Sequence, residues 1–355
     1  MDQFLYSIPI IGLVFEFIGY LIAVLPDIAP IILRAATPIG FAALCGVMCE
    51  RAGVVNIGIE GTMLFSAFVG WTAGVYLAPV LGTDPGPLFD ASPALIGALA
   101  LALLAGVLVS ALHAWLSISV KADQIISGTI INIAAVGVTG YLIALLAQSS
   151  PTGAGQFKQF QPPDFLTSLP AVGWIFETVL NQGPLTISLL VIVVVFQVWL
   201  FRTRWGLRVR AVGEHPRAAE TVGIDVIRLR YRNVMLGGVL AGLGGAYFSL
   251  EGTAQFQNEM TVGTGFIGLA AMIVGRWTPL GAFGAALLFA STTGISQSIR
   301  IAPPPGQLGE ILHSLPPEFF GALPYLVTIV VLAGVVGRSI PPAADGQPYE
   351  REAAH

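Results

Sequence analysis

Residues 202–232 read RTRWGLRVRAVGEHPRAAETVGIDVIRLRYR. The stretch holds eight arginines (Arg202, Arg204, Arg208, Arg210, Arg217, Arg228, Arg230 and Arg232), half of the 16 lysines and arginines in the chain. On either side the sequence is apolar for roughly twenty residues at a time, the length a helix needs to cross about 30 Å of hydrocarbon. Of the 355 residues 55% are hydrophobic and 10% charged, and the mean hydropathy is +0.81; soluble domains carry about 25% charged residues. This is the composition of an integral membrane protein. It leaves no polar stretch long enough for a soluble catalytic domain. The net charge of −4 gives no sign of a nucleic-acid partner.

The fold class expected is all-α, a polytopic membrane bundle of nine or ten transmembrane helices. Candidate spans are 28–49, 57–80, 93–120, 124–147, 184–201, 233–250, 262–275, 279–299 and 319–337. Residues 8–25 form a tenth or lie along the interface, since Glu16 falls inside them and no basic segment of a signal peptide precedes them. Positive charge marks the cytoplasmic side, so 202–232 reads as a cytoplasmic loop. Counting outward puts Glu50/Arg51, Lys121, Arg276 and Arg338 inside and the segments 82–92 and 148–183 outside. The organisation is then a transmembrane domain, 1–337, followed by a cytoplasmic tail, 338–355.

Within the loop, Pro216 and Gly223 bracket a short alanine-containing segment, the start and stop signals of a helix. A helix this short is not stable alone, so it rests against the bundle or a partner, unless the segment is only a solvated charged face. Further on, Gly237, Ala241 and Gly245 form one row of small residues and Gly238 and Gly242 another, a spacing that lets helices approach closely in lipid. Cys45 and Cys49 share a helix face with no histidine nearby and read as small buried residues. Arg34 sits near a predicted helix start, where it can snorkel.

Residues 50–61, ERAGVVNIGIEG, place two acids and a base between two spans. The orientation makes them a short cytoplasmic turn, with Glu50 and Arg51 hydrated, Asn56 as the N-cap of the next helix, and Glu60 in its positive first turn. No nucleotide-binding loop, G-x-S-x-G or H-E-x-x-H motif occurs, and the four histidines are scattered, so the chain reads as a non-enzyme.

Four blocks carry a family resemblance: RAATPIGFAALCGVMCERAGVVNIGIEGTML from Arg34, KADQIISGTIINIAA from Lys121, FRTRWGLRVRAVGEHPRAAETVGI from Phe201 and GFIGLAAMIVGRWTPLGA from Gly265. In this order they resemble the permease subunits of bacterial nucleoside-type ABC importers, within the group that includes simple-sugar and branched-chain amino-acid permeases. The likeness runs from about Arg34 to Arg338. His215 stands where the family usually has Asn, and Thr264 and Gly268 replace a common Arg and Ala.

The resemblance implies a plasma-membrane permease that pairs with a second, identical or similar permease. Two cytoplasmic ATPase domains would bind beneath it, and an extracellular binding protein or lipoprotein would deliver substrate. No cofactor is implied in this chain; ATP and Mg would be used by the partner ATPase. Carried over by position, the ATPase-coupling segment is Gly213, Glu214, His215, Pro216, Arg217, Ala218, Ala219, Glu220, Gly223 and Ile224, with Ala218 and Ala219 allowing close approach. The corner residues Glu50, Arg51, Asn56 and Glu60 lie on the ATPase-facing side, and the two acids and the arginine would brace the coupling region.

A nucleoside is neutral and polar, so its path needs hydrogen-bonding side chains. Candidates within spans are Asn132, Ser127, Thr129, Thr292 and Gln297. The same architecture importing a simple sugar or branched-chain amino acid is the alternative. A secondary transporter or channel is the other, and would need an intramembrane acid such as Glu16 or Glu60.

Overall fold

The computed structural model describes residues 9–87, 89–146, 153–170, 172–330 and 339–350. The expected residues 1–8 of the membrane domain, the end of the last predicted span at 331–337 and the last residues of the tail, 351–355, lie outside them. Among the described residues all regular structure is helical. In chain order the helices are α1 (Pro9–Glu50), α2 (Ile59–Leu81), α3 (Pro93–Ala114), α4 (Gln124–Leu146), α5 (Asp164–Thr167), α6 (Gly173–Leu180), α7 (Pro184–Arg202), α8 (Arg204–Glu214), α9 (Pro216–Thr221), α10 (Val226–Ala246), α11 (Thr264–Val274), α12 (Pro279–Ile301), α13 (Gln307–His313) and α14 (Pro317–Val330). Wide π turns extend α3 through Ser119 and α10 through Gly252.

Among the described residues seven helices are long and apolar enough to cross a membrane: α1, α2, α3, α4, α7, α10 and α12. The expected nine or ten is not reached among them, and three of the expected spans account for the difference. From residue 9 on, the expected spans 8–25 and 28–49 are one continuous helix, because Pro26, Pro30 and Pro38 lie inside α1 without ending it. Proline is tolerated in membrane helices where neighbours resatisfy the backbone. Span 262–275 holds only the eleven residues of α11, about 16 Å of helix and half a crossing. Span 319–337 is represented by α14, of which 14 residues are described.

Local sequence explains the helix starts. The Ser92 hydroxyl accepts from Leu95 N–H at 3.2 Å, Thr203 from Gly206 at 3.2 Å, Asp225 from Arg228 at 3.0 Å and Thr278 from Gly281 at 3.2 Å. Each satisfies one of the donors a helix start leaves free. Pro93, Pro184, Pro216 and Pro279 occupy the first turn of their helices, where no N–H is needed.

The centre of the bundle is α10, and its small residues meet a different neighbour on each face. Gly237 faces Cys45 and Cys49 of α1, Gly244 faces Phe41 of α1, and Gly245 faces Met63 and Ser66 of α2. Gly238 and Gly242 lie against α3 at Gly106 and Leu103; a Cβ on Gly238 would sit 2.7 Å from that of Ser110. The two predicted rows are therefore packing surfaces, and lipid-embedded backbones approach because nothing projects between them. Around this centre α4 is peripheral. It buries a single stripe, Gln124, Ser127, Gly128, Ile131, Ala135 and Thr139, against α2 and exposes the isoleucines of its other face.

Lys121, the turns at 51–55 and 276–278, helices α8 and α9, and residues 339–350 converge at one end of the bundle through direct hydrogen bonds. This is the end expected from its positive charge to face the cytoplasm, and it is called the inner end below.

Candidate functional site

At the inner end, α8 and α9 form a bent pair. Pro216 ends α8 by forcing the preceding His215 into an extended conformation, φ −141°. α9 then runs six residues to Gly223, whose φ of +82° closes the helix with Ile224 N–H on the Ala219 carbonyl at 3.1 Å. The coupling segment expected from 213 to 224 is thus a discrete short helix with its joints. Two placements differ from expectation. Ala219 faces the protein, being 3% exposed, and Gly213 is buried against the Arg51 carbonyl, so the outward residues are Glu214, His215, Arg217 and Ala218. The amphipathic α8, which buries Gly206, Val209, Val212 and Gly213, was not anticipated, although its apolar spacing is visible in the sequence.

Residues 339–350 bind across this pair. Ala344 N–H donates to the Gly213 carbonyl at 2.8 Å and Ala343 N–H to Glu214 at 3.2 Å, while the Tyr349 hydroxyl bonds Glu220. Arg230, 2% exposed, ties three segments together. It donates to the carbonyls of Ala52 at 3.1 Å and Gln347 at 2.9 Å, and lies 6.0 Å from the Tyr349 ring. Arg230 lies in the expected loop, but α10, capped by Asp225, starts seven residues before the predicted span and draws Arg230 into the bundle. Burial pushes the neighbouring Asp345 carboxyl up to about 6, with the Arg230 guanidinium pulling the other way.

The corner at 50–61 departs most from expectation. Glu50 is not hydrated: it is 6% exposed and accepts from the Trp277 indole N–H at 2.6 Å. A buried indole needs such an acceptor. Arg51 donates to the Trp277 carbonyl at 2.8 Å and the Arg276 carbonyl at 3.2 Å, and stands 5.9 Å from the Phe201 ring. Burial lowers its pKa from the usual arginine range and nearby Glu214 raises it. Arg276 and Trp277 adopt left-handed φ values of 54° and 52°, unfavourable for side-chain-bearing residues, and the Glu50/Arg51 pair clasps both. Asn56 is not the N-cap of α2. Gly58 holds that position with no side-chain cap, because the chain stays irregular to residue 58 and the Asn56 amide points to Cys49.

Glu60 is in the first turn of α2 as expected, but it serves a second helix. Its Oε1 accepts from the Thr261 hydroxyl at 2.6 Å and Gly263 N–H at 2.8 Å, and its Oε2 from Gly265 N–H at 2.6 Å. These groups are the start of α11. That half-helix runs beside α1, with Gly268 against Ala42 and Met272 against Gly46. Before it, residues 253–263 descend along α2 in irregular conformation, with Phe256 edge-on to Phe68 at 5.2 Å. This segment is a broken crossing. Irregular backbone at membrane depth must be satisfied by protein, and the Glu60 carboxylate meets the positive end of the half-helix.

The other irregular stretch, 52–58, is satisfied the same way by α3 and α4. Gln124 accepts from Val55 N–H at 2.7 Å, and His113 donates to the Val55 carbonyl at 2.9 Å while its other nitrogen meets Ser127 at 3.1 Å. Asn132 accepts from Gly61 N–H at 2.7 Å and donates to the Ile57 carbonyl at 3.0 Å. Among the residues proposed to line a pathway, Asn132 is therefore bonded to the corner and Ser127 to His113, which holds the corner at Val55. Thr129 and Thr292 bond carbonyls of their own helices, and Gln297 is exposed on α12. The two sets do not come together: α4 packs on α2 and α12 on α1.

Two cavities adjoin these elements. One of about 360 Å³ lies between Glu60, Asn132, Val262 and Phe266. At the outer end, an open cavity of about 610 Å³ is lined by Arg34, Gln156, Lys158, Asn181, Tyr247 and Glu251. Arg34 is inside α1 rather than at a helix start, its Nε on the Pro30 carbonyl at 3.3 Å. Glu251 caps α7 through Leu185 N–H at 2.6 Å and the Thr186 hydroxyl at 2.6 Å.

Comparison with known proteins agrees with this architecture. Residues 28–332 match the family described as the permease component of branched-chain amino acid transport systems. The guanosine ABC transporter permease NupQ of Bacillus subtilis is 38% identical over 93% of this chain and 98% of its own length. The nucleoside ABC transporter permease NupC of Lactococcus lactis is 38% identical over 88% and 93%. TsgC13 of Haloferax volcanii, provisionally named a glucose ABC transporter permease, is 33% identical over 90% and 96%. A second, more distant permease from each organism also matches, at 27%, 24% and 27% identity respectively. No solved structure matches the chain. With its bundle of apolar helices, its helical arginine-rich face and this near-complete likeness, the chain belongs to the family of ABC transporter permease components of the branched-chain amino acid type.

Proposed function

We propose that this multi-pass membrane protein is a translocation subunit of a nucleoside importer in a bacterial plasma membrane. The 38% identity to two permeases named for guanosine and nucleosides, over nearly the whole chain, carries the substrate assignment. A second permease completes the pathway, a reading supported by the additional permease that matches from each relative's organism. An extracellular binding protein or lipoprotein delivers substrate. Two ATPase domains, using ATP and Mg, bind the inner end at α9. A rigid short helix joined by tight turns to α8 and α10 suits the transfer of a rigid-body motion into the bundle. Import of a sugar is the second reading, supported by the likeness to TsgC13. An ion-coupled mechanism is less well supported, since the Glu60 carboxylate is held by three donors.

The test is uptake of adenosine, guanosine, uridine, ribose and leucine by cells carrying the complete operon, with binding-protein affinities measured in parallel. Nucleoside uptake that stops when the ATPase is deleted is the expected result. Uptake surviving that deletion overturns the reading. Gly223→Val or Ala219→Trp should abolish transport and substrate-stimulated ATP hydrolysis while membrane insertion persists.

A further inference from the structure

We propose that residues 339–350 form part of the surface the ATPase subunit grips, so that the coupling element is α9 together with this tail. The tail lies beyond the residues 28–332 matched to the family. The inference rests on the reading of α9 as the coupling helix.

The tail is fastened to the bundle. Two of the carbonyls it offers, on Ala344 and Gln347, accept from buried Arg230, and its own amides bond Gly213 and Glu214. A buried guanidinium deprived of such acceptors would be strongly unfavourable, so tail and α10 are held as one unit. Alternation then decides what faces outward. Pro342, Ala344 and Tyr349 are buried, while Ala343, Gln347, Pro348 and Glu350 are exposed.

These exposed residues form one wall of a cleft of about 720 Å³, and His215, Arg217 and Ala218 of the α9 region form the other. On the opposite flank of α9 is a second cleft of about 700 Å³ between α8 and the start of α10. There Leu207 and Val222 are 60% and 74% exposed, apolar side chains among Arg204, Arg208 and Arg228. α9 is therefore a ridge between two clefts. A partner seated over the ridge reaches into both, and the outer wall of one is the tail. The flanks differ in charge: arginines dominate the α8 side, whereas Glu214 and Glu350 stand with Arg217 on the tail side. One partner bearing an acidic flank and a mixed flank fits, in a single orientation.

The experiment places the photo-crosslinking residue p-benzoylphenylalanine at Pro348 or at Ala218 in the full-length chain, expressed with its complete operon. Both positions should label the ATPase subunit. Labelling from Ala218 alone overturns the tail's role and leaves the coupling reading standing. Labelling from neither position, or from Pro348 alone, overturns the coupling reading on which the inference rests. As a second measurement, ending the chain after Ile340 should lower ATPase co-purification about tenfold, as a loss of 1.4 kcal/mol in binding gives, at unchanged membrane level. Undiminished co-purification overturns the proposal. If the shortened chain does not accumulate, the crosslinks decide.

Discussion

The corner at 50–61 and the ridge at 213–224 are both short, glycine-containing and polar, yet the corner buries most of its polar groups and the ridge keeps most of its own at the surface. At the corner and the broken crossing facing it, Glu50, Glu60, Gln124 and Asn132 each bond a main-chain group or indole that regular structure leaves free. Along the ridge, Glu214, His215, Arg217 and Ala218 remain turned to the surface. A polar side chain in a membrane helix is thus first a candidate for satisfying irregular backbone, and for lining a pathway only when that need is met elsewhere. The ridge carries part of that duty on its tail side, where Glu214 accepts from Ala343 N–H and Glu220 bonds Tyr349, and still presents His215 and Ala218 at the surface.

Substitutions can break or sharpen this contrast. The largest effect is expected for Glu60→Ala, which leaves three donors at the start of α11 without an acceptor. A loss of about 3 kcal/mol should appear in denaturation of the detergent-solubilised protein, and Glu60→Gln should recover part of it. Asn132→Leu removes the partners of Gly61 N–H and the Ile57 carbonyl and should cost about 2 kcal/mol. If Asn132→Leu keeps full stability but loses substrate affinity, Asn132 belongs to the pathway and the contrast fails.

A smaller effect is expected from pH. Asp345, facing Glu50 and Arg230, has its carboxyl raised to about 6 in the folded protein from an ordinary value of 3.8. Its proton therefore favours the docked tail at low pH, and the contribution falls as pH rises from about 4 through about 6. Asp345→Asn should flatten that part of the stability profile. The smallest effect belongs to Lys121→Ala. The 2.7 Å pair with Glu350 is solvent-exposed on both sides, and its loss should leave the melting temperature without a measurable shift.

Much of the fold was legible because it depends on periodicity and charge. The seven spans, the inner placement of the arginines, the α10 glycine rows and the helix bracketed by Pro216 and Gly223 are local patterns. The described spans depart from the expected ones where local pattern is ambiguous. Pro26 and Pro30 look like breaks but lie within α1, and residues 262–275 are apolar enough for a span although only eleven of them are helical. Asn56 resembled an N-cap for the same reason, and tertiary contacts from α3 and α4 kept the chain irregular two residues further.

By itself, the sequence determined that this chain is a helical membrane protein, and where a short helix stands between Pro216 and Gly223. Each of these follows from residues close together in the chain. Only the tertiary structure decided what the charges do. Glu60 meets Thr261 across 201 positions, Glu50 meets Trp277 across 227, and Arg230 meets Gln347 across 117. In hydrocarbon a charge or an open main-chain group must find its partner inside the protein, and that partner is supplied by packing rather than by neighbours in sequence.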